Sequence, residues 1–231
     1  MKIALLGNGK MSQAVRRLAM TEGHQITVAL DSKSNPETHQ RFQGDWVTES
    51  EVMIDFSAPE AAVDNIIRAS RTRLPIVQGT TGWYDRIDEL REHVEGIGGS
   101  CVFSSNFSLG MQLFFRVISQ AAPLMAPFST YAPYLLEKHH SVKKDAPSGT
   151  ALRLLDILKS HFPNLIPTSF LRVGSIPGTH EVAFDSPEDT LLFRHTARNR
   201  DGFARGALLA AGLIQDKPGL FEFQELLFDE E

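Results

Sequence analysis

Lys2-Ile3-Ala4-Leu5-Leu6-Gly7-Asn8-Gly9-Lys10-Met11-Ser12 opens the chain, and this stretch, read through to Asp31, decides the fold. Lys2–Leu6 is a short apolar run of the kind that forms a buried strand, and it ends in a glycine turn. From Gln13 to Glu22 apolar residues recur at helical spacing (Ala14, Val15, Leu18, Ala19), and the pattern stops at Gly23. Gln25–Leu30 reads as a second strand, closed by Asp31. Strand, glycine turn, helix, strand and acid together make the opening of a dinucleotide-binding, Rossmann-like unit. Gly7 permits the tight turn, and Gly9 lets the backbone approach a pyrophosphate that the helix N-terminus receives with its N–H groups. An acid in the position of Asp31 hydrogen-bonds a ribose hydroxyl. Ser12 stands where the fingerprint has its third glycine; serine is still small enough for close packing of helix on strand.

The alternation continues outward. Val52–Phe56 reads as a strand, Ser57-Ala58-Pro59-Glu60 as a helix start with proline in the first turn, and Leu74–Gln78 as the next strand. That strand leads into Gly79-Thr80-Thr81-Gly82, and a helix through Glu89–Val94 feeds a strand around Cys101. Such alternation predicts a mostly parallel sheet covered on both faces, with ligands collecting at the carboxyl ends of its strands. Three loop groups fall there: Gly7–Ser12, Ser57–Pro59 with Gly79–Gly82, and Ser104-Ser105-Asn106-Phe107. The first suits phosphates. The others are rich in small and hydroxylic residues that lie flat against a nicotinamide and hydrogen-bond its amide.

Beyond residue 108 the pattern changes. Leu109–Met125 is strongly helical in period and bounded by Pro123 and Pro127. Tyr134–His140 reads as a strand, Ser148–His161 as a helix, and Phe170–Val173, His180–Phe184 and Thr190–Thr196 as short strands. Several strands with one helix make an α+β unit unlike the first half. Gly202–Gln215 is again helical and is broken by Pro218-Gly219, so hinges are expected near Phe107–Gly110 and Arg200–Gly202.

Chemistry concentrates in Glu137-Lys138-His139-His140-Ser141-Val142-Lys143-Lys144-Asp145-Ala146-Pro147-Ser148-Gly149-Thr150-Ala151. Proton carriers come first, then cations, then a helix start with Ser148 as N-cap. The N–H groups of Ser148 to Thr150 can receive a carboxylate at the helix N-terminus. Neighbouring strand residues face opposite sides, so one histidine delivers a proton while the other orients or binds. A histidine titrating near neutrality suits general acid work, and Lys143 lies beyond the strand end, able to reach the same site. Metal ligation is the competing reading, but adjacent strand histidines chelate one ion poorly and no Cys/Asp/Glu cluster completes a set. No metal is expected.

Composition sets the outer limits. The 231 residues, 42% apolar and 22% charged, are ordinary for a globular protein, and a net charge of −5 argues against nucleic acid as a partner. No apolar run approaches the roughly 18–20 residues of a membrane span, and the N-terminus has neither the length nor the flanks of a signal peptide. The single Cys101 allows no intramolecular disulfide and reads as a small buried hydrophobe. A cytoplasmic location is expected.

The run His139-His140-x-x-Lys143-x-Asp145-Ala146-Pro147-Ser148-Gly149-Thr150-Ala151 resembles the signature of the 4-hydroxy-tetrahydrodipicolinate (dihydrodipicolinate) reductase family. Ile54–Glu60, Gly79–Gly82, Asn106–Gly110, Pro177–His180, His195–Ala197 and Arg200–Leu208 extend the resemblance over nearly the whole chain. It implies an NAD(P)H-dependent oxidoreductase of the diaminopimelate–lysine pathway acting on a small dicarboxylate. By the same resemblance His139 is the proton donor or acceptor, Lys143 a second proton donor, and His140, Ser148, Gly149 and Thr150 surround the substrate. Gly7, Asn8, Gly9, Lys10 and Met11 match the pyrophosphate loop, and Asp31 the ribose-binding acid. Gly79, Thr80 and Thr81 with Ser104, Ser105, Asn106 and Phe107 match the nicotinamide pocket. A homotetramer is implied, assembled through residues 109–200, with 201–231 returning to the nucleotide domain of residues 1–108. The chain departs from the family's glycine loop, which is one residue longer, by carrying Lys10 for arginine and Ser12 for glycine. Asp31 favours a free ribose diol while Lys33 tolerates a 2′-phosphate, so use of both NADH and NADPH is expected. Two rival readings are an aspartate- or homoserine-type dehydrogenase on the same nucleotide fold, and a non-catalytic NAD-responsive regulator. The first leaves the histidine–lysine run unexplained, and the second lacks a DNA- or protein-binding element.

Overall fold

The computed structural model describes residues 1–31, 42 and 44–228; Lys33 lies outside them. In chain order the elements are β1 (Lys2–Leu6), α1 (Lys10–Thr21), β2 (Gln25–Leu30), α2 (Trp46–Glu49), β3 (Val52–Asp55), α3 (Pro59–Thr72), β4 (Ile76–Gln78), α4 (Ile87–Gly96) and β5 (Ser100–Phe103). There follow α5 (Leu109–Met125), β6 (Ala132–His139), α6 (Gly149–Lys159), β7 (Thr168–Arg172), β8 (Thr179–Asp185), β9 (Thr190–Thr196), α7 (Asp201–Leu213), β10 (Gly219–Glu222) and α8 (Phe223–Leu227). The chain divides into two units, Met1–Ser108 with Arg200–Glu231, and Leu109–Asn199.

The first unit is built on a six-stranded parallel sheet in the order β10-β5-β4-β3-β1-β2. Alternate residues of each strand feed opposite layers. Ile3, Leu5, Ile54, Val77 and Val102 pack under Val15 and Leu18 of α1 and Ala207, Leu208 and Ala211 of α7. Ala4, Leu6, Met53, Ile76 and Cys101 pack under Ile66 and Ala69 of α3 and Leu90 and Val94 of α4. Burial, with the Asp55 charge nearby, pushes the Cys101 thiol well above its usual range, so it stays a protonated hydrophobe. Strand order reverses between β1 and β3, which places a ligand crevice beyond their carboxyl ends.

The second unit has a four-stranded sheet, β7-β6-β8-β9, with β6–β7 parallel and the other pairs antiparallel. Leu135, Val182 and Phe184 on one sheet face pack against Phe115 and Ile118 of α5 and Leu154 and Leu158 of α6. Three details depart from expectation. Pro123 sits inside the last turn of α5 instead of bounding it. His140 lies just past the end of β6, which stops at His139. The short elements α2, β10 and α8 carry too few periodic residues to be read, and β10 earns its strand by pairing with β5.

Candidate active site

In the first unit the turn after β1 has the form the glycines foretell. Gly7 takes φ +91°, and its N–H donates to the Leu30 carbonyl at 2.7 Å. A β-carbon there would lie 2.5 Å from the Phe56 carbonyl oxygen, so only glycine fits. Gly9 is the N-cap of α1, extended, and a β-carbon on it would meet nothing within 4 Å. Its glycine leaves open space over the amides of Lys10, Met11 and Ser12, which precede the first helical acceptor pairing, Gln13 N–H to Gly9 O at 3.0 Å. No side chain caps this end and no acid sits in the first turn, a setting that suits an anion. Asn8, Gly9 and Lys10 are exposed, Asn8 giving its carbonyl to Gln13 Nε2. Ser12 is buried, and Asp31 follows the end of β2 directly.

Beyond β3 and β4 lies a buried polar network that the sequence did not announce. Asp55, fully buried, accepts from the Ser57 N–H (2.7 Å), Asn65 Nδ2 (2.8 Å) and Gln78 Nε2 (2.9 Å). Gln78 Oε1 in turn accepts the Thr80 N–H at 3.0 Å, and the Thr80 carbonyl accepts Trp83 Nε1 at 2.7 Å. A buried carboxylate held by three neutral donors thereby fixes the loops at Ser57 and Gly79–Thr81. Thr80 Oγ1 is buried with no partner, while Thr81 is exposed. The turn at Ser104 is closed from within: Ser104 Oγ donates to the Asn106 carbonyl and accepts the Asn106 N–H, and Asn106 Oδ1 accepts the Ser108 N–H. Ser105 is exposed. Phe107 is buried between Phe56 and Phe223, so it shapes the loop from below as core.

In the second unit β6 brings Glu137 and His139 onto one sheet face, two residues apart. Cross-strand register sets His180 beside Glu137, His195 beside His180, and Arg172 beside His139. Glu137 is fully buried; its Oε1 accepts from Arg172 Nη2, and its Oε2 accepts the Ser148 N–H at 3.0 Å together with the Ser148 hydroxyl. Burial alone would raise the Glu137 carboxyl, but His180, Ser148 and Arg172 hold it far below the usual range. Ser148 Oγ also caps α6, accepting the Ala151 N–H at 3.2 Å. Both donors of Ser148 are therefore committed to Glu137. The carboxylate of Glu137 on β6 thus occupies the N-cap donors of the residue expected beside the substrate. Gly149, the first residue of α6, is exposed and Thr150 half-buried.

The two histidines have different settings. Burial pushes His139 down to about 4; Glu137 opposes this, and His180, Lys143 and Arg172 add to it. The ring is thus neutral at pH 7, contrary to the expectation of titration near neutrality, because burial penalises its charged form more than Glu137 favours it. His139 Nε2 and His140 Nδ1 are buried without hydrogen-bond partners. The rings lie 6.4 Å apart and nearly perpendicular. Lys143 Nζ pairs with Asp145 at 2.8 Å and is half-buried, whereas Lys144 is exposed. Glu137, His139 and His180 also bring one donor atom each within 4.8 Å of one another, a set the sequence reading did not see. Both Glu137 oxygens already accept from Arg172 or Ser148, and a metal ion there would sit against the guanidinium. Glu137, Arg172 and His180 were missed because only cross-strand register, which the sequence does not print, makes them neighbours of one another, and Asp55 because its partners Asn65 and Gln78 come from the next helix and strand.

Comparison with known proteins agrees with this geometry. Residues 1–107 match the model of the dihydrodipicolinate reductase N-terminus and residues 110–227 that of its C-terminus. A 4-hydroxy-tetrahydrodipicolinate reductase of Christiangramia forsetii is 35% identical over 241 residues, covering 99% of this chain and 98% of its relative. One from Staphylococcus haemolyticus is 34% identical, with 98% and 100% covered. Among solved structures, a dipicolinate-bound dihydrodipicolinate reductase from Paenisporosarcina sp. TG-14 superposes with a TM-score of 0.78 at 21% identity, covering 96% of this chain and 97% of that one. That likeness speaks for the fold; the matched halves and the full-length identity speak for descent, and the chain belongs to the dihydrodipicolinate reductase family.

Proposed function

We infer that the protein is a pyridine-nucleotide-dependent 4-hydroxy-tetrahydrodipicolinate reductase serving diaminopimelate and lysine biosynthesis. The observation that carries this is the start of α6, with Lys143 and the histidine pair in the segment that leads to it, an arrangement that suits an anion. Full-length relatives bearing that name support the assignment.

The work divides between the units. In the first, the amides of Lys10, Met11 and Ser12 would hold the pyrophosphate, Asp31 the ribose, and the loop at Gly79–Thr81 with the buried Thr80 hydroxyl the nicotinamide amide. The open space at Gly9 and the unpartnered Thr80 Oγ1 fit such a ligand. Reduced nicotinamide, when bound, supplies a hydride. In the second unit Gly149 and Thr150 receive a carboxylate of the dianionic substrate at the positive end of α6, and His140 binds beside them. Lys143 Nζ carries the proton that neutralises charge developing on the ring nitrogen. His139, neutral at pH 7, offers one N–H and one lone pair, which suits it to receive and pass on that proton. Asp31 accommodates NADH, and we propose that NADPH serves as well.

We propose further that the protein is a homotetramer built through its second unit. The sheet face opposite α5 and α6 carries Leu171 and Leu192, each about half exposed, with Tyr134 and Leu136 between them. The test of the function is oxidation of NADH or NADPH that depends on substrate generated in place by the upstream synthase.

A further inference from the structure

We propose that Glu137 is a positioning residue of the reductase site: it ties the substrate-binding end of α6, the lysine-bearing loop and the histidine-bearing strands into one rigid frame. The proposal rests on the reductase reading of the second unit. It begins from an apparent contradiction, a fully buried carboxylate inside a site meant for a dianion. A negative group there repels the substrate and is costly to bury, so its presence calls for a task that only a carboxylate performs.

The hydrogen bonds define the task. Oε2 accepts both donors of Ser148, the N-cap whose Oγ in turn accepts from Ala151, so the first turn of α6 hangs from Glu137. Oε1 accepts from Arg172 Nη2, and the same nitrogen donates to the Asp145 carbonyl at 2.6 Å, inside the loop that carries Lys143. Arg172 Nη1 is spent on the Leu171 carbonyl at 2.9 Å, which makes the guanidinium a strut between strand and loop. His180 Nε2 lies 3.7 Å from Oε2 and 3.4 Å from Ser148 Oγ, and its ring packs edge-to-face on His139 at 5.3 Å. One carboxylate thus reaches the anion-binding turn, the lysine loop and the imidazole.

The chemistry explains why glutamine is no substitute. Both oxygens accept, one from a guanidinium and the other from an amide and a hydroxyl, so a carboxamide must turn its NH₂ toward one of those donors. Either orientation frees Arg172 with Asp145, or releases the N-cap. Aspartate keeps the charge but falls short by a methylene.

The test uses the full-length protein with Glu137→Gln and Glu137→Asp, measuring dipicolinate affinity, NADH affinity, and kcat and KM in the synthase-coupled assay. We expect Glu137→Gln to weaken dipicolinate binding by about 10- to 100-fold and to lower kcat as well as raise substrate KM. NADH affinity should stay within about twofold, because the first unit holds the cofactor, and Glu137→Asp should recover part of the loss. A folded Glu137→Gln protein with wild-type dipicolinate affinity and kcat overturns the proposal. Should that variant not fold, Ser148→Ala and Arg172→Lys each cut one link. Losses of about 3- to 10-fold in dipicolinate affinity support the frame, and wild-type behaviour of both overturns it. Failure of the reductase reading looks different: the wild-type protein itself then neither binds dipicolinate nor oxidises NAD(P)H.

Discussion

A β-carbon built on Gly178 would stand 2.9 Å from His139 Cε1 and 3.3 Å from Nδ1, so the bare backbone ahead of β8 forms the wall on which the imidazole rests. Gly178 also takes φ +151°, where side chains are strained. Gly178→Ala must push the ring off its position. Misplacing a reacting group by about 1 Å costs up to about 100-fold in rate, so we expect kcat to fall about 10- to 100-fold with NADH affinity unchanged. Steady-state kinetics with a parallel cofactor titration measure both, and an unchanged kcat would remove His139 from the chemistry.

A similar contact governs the first unit. A β-carbon on Gly79 would lie 2.1 Å from Phe56 Cε1, and the Phe56 carbonyl in turn closes on Gly7. Phe56 therefore couples the turn at Gly7 to the loop at Gly79. Gly79→Ala should weaken NADH binding by about tenfold or more while dipicolinate binding stays near wild type, and Gly79→Ala with Phe56→Leu should regain part of the loss. Isothermal titration with each ligand separates the two effects. Loss of dipicolinate binding in the single variant would contradict the division of ligands between units.

Acid should loosen the second unit first. His139 titrates near pH 4 when folded and near 6.5 when unfolded, so between those values the unfolded chain binds more protons and stability falls as pH falls. His195 is lowered too, by burial and then by His180, and acts in the same direction. Glu137, lowered by its partners against the effect of burial, adds stability that is complete above about pH 4.5 and drains away below it. The His139 contribution is on the order of 2–3 kcal/mol between pH 7 and 4. Urea unfolding of the wild type and of His139→Gln at pH 7, 6, 5 and 4 should show the variant losing stability less steeply. Parallel slopes would refute the shifted histidine.

The open sheet face of the second unit bears on assembly. Leu171 and Leu192 flank Tyr134 and Leu136, with Glu181 held between Lys138 (2.9 Å) and Arg194 (3.0 Å) on the same face. Light scattering should give a tetramer for the wild type and smaller species for Leu171→Glu with Leu192→Glu. A monomeric wild type at micromolar concentration would contradict assembly through this face.

Much of this was legible in the chain and some was not, for physical reasons. The nucleotide fold could be read from Lys2 to Asp31, because a strand, a glycine turn and a helix are local events whose periods stand in the sequence. The cap at Ser148 was legible for the same reason. Glu137 and Asp55 were not, although both stood within quoted motifs. Their significance comes from partners 10 to 43 residues away in the chain, Asn65 and Gln78 for Asp55, Ser148, Arg172 and His180 for Glu137. Sheet register brings in Gln78, Arg172 and His180, and the packing of α3 and α6 brings in Asn65 and Ser148. The charge state of His139 was not legible either, since it depends foremost on burial, and only then on Glu137, His180, Lys143 and Arg172.

The most direct measurement is NADH and NADPH oxidation by the purified protein while the upstream synthase supplies substrate, with Lys143→Ala alongside the wild type. We predict synthase-dependent oxidation with both cofactors, and a kcat lowered by roughly 10²–10⁴ in the variant, with cofactor KM nearly unchanged. No oxidation by the wild type with either cofactor, or full turnover by Lys143→Ala, would contradict the account.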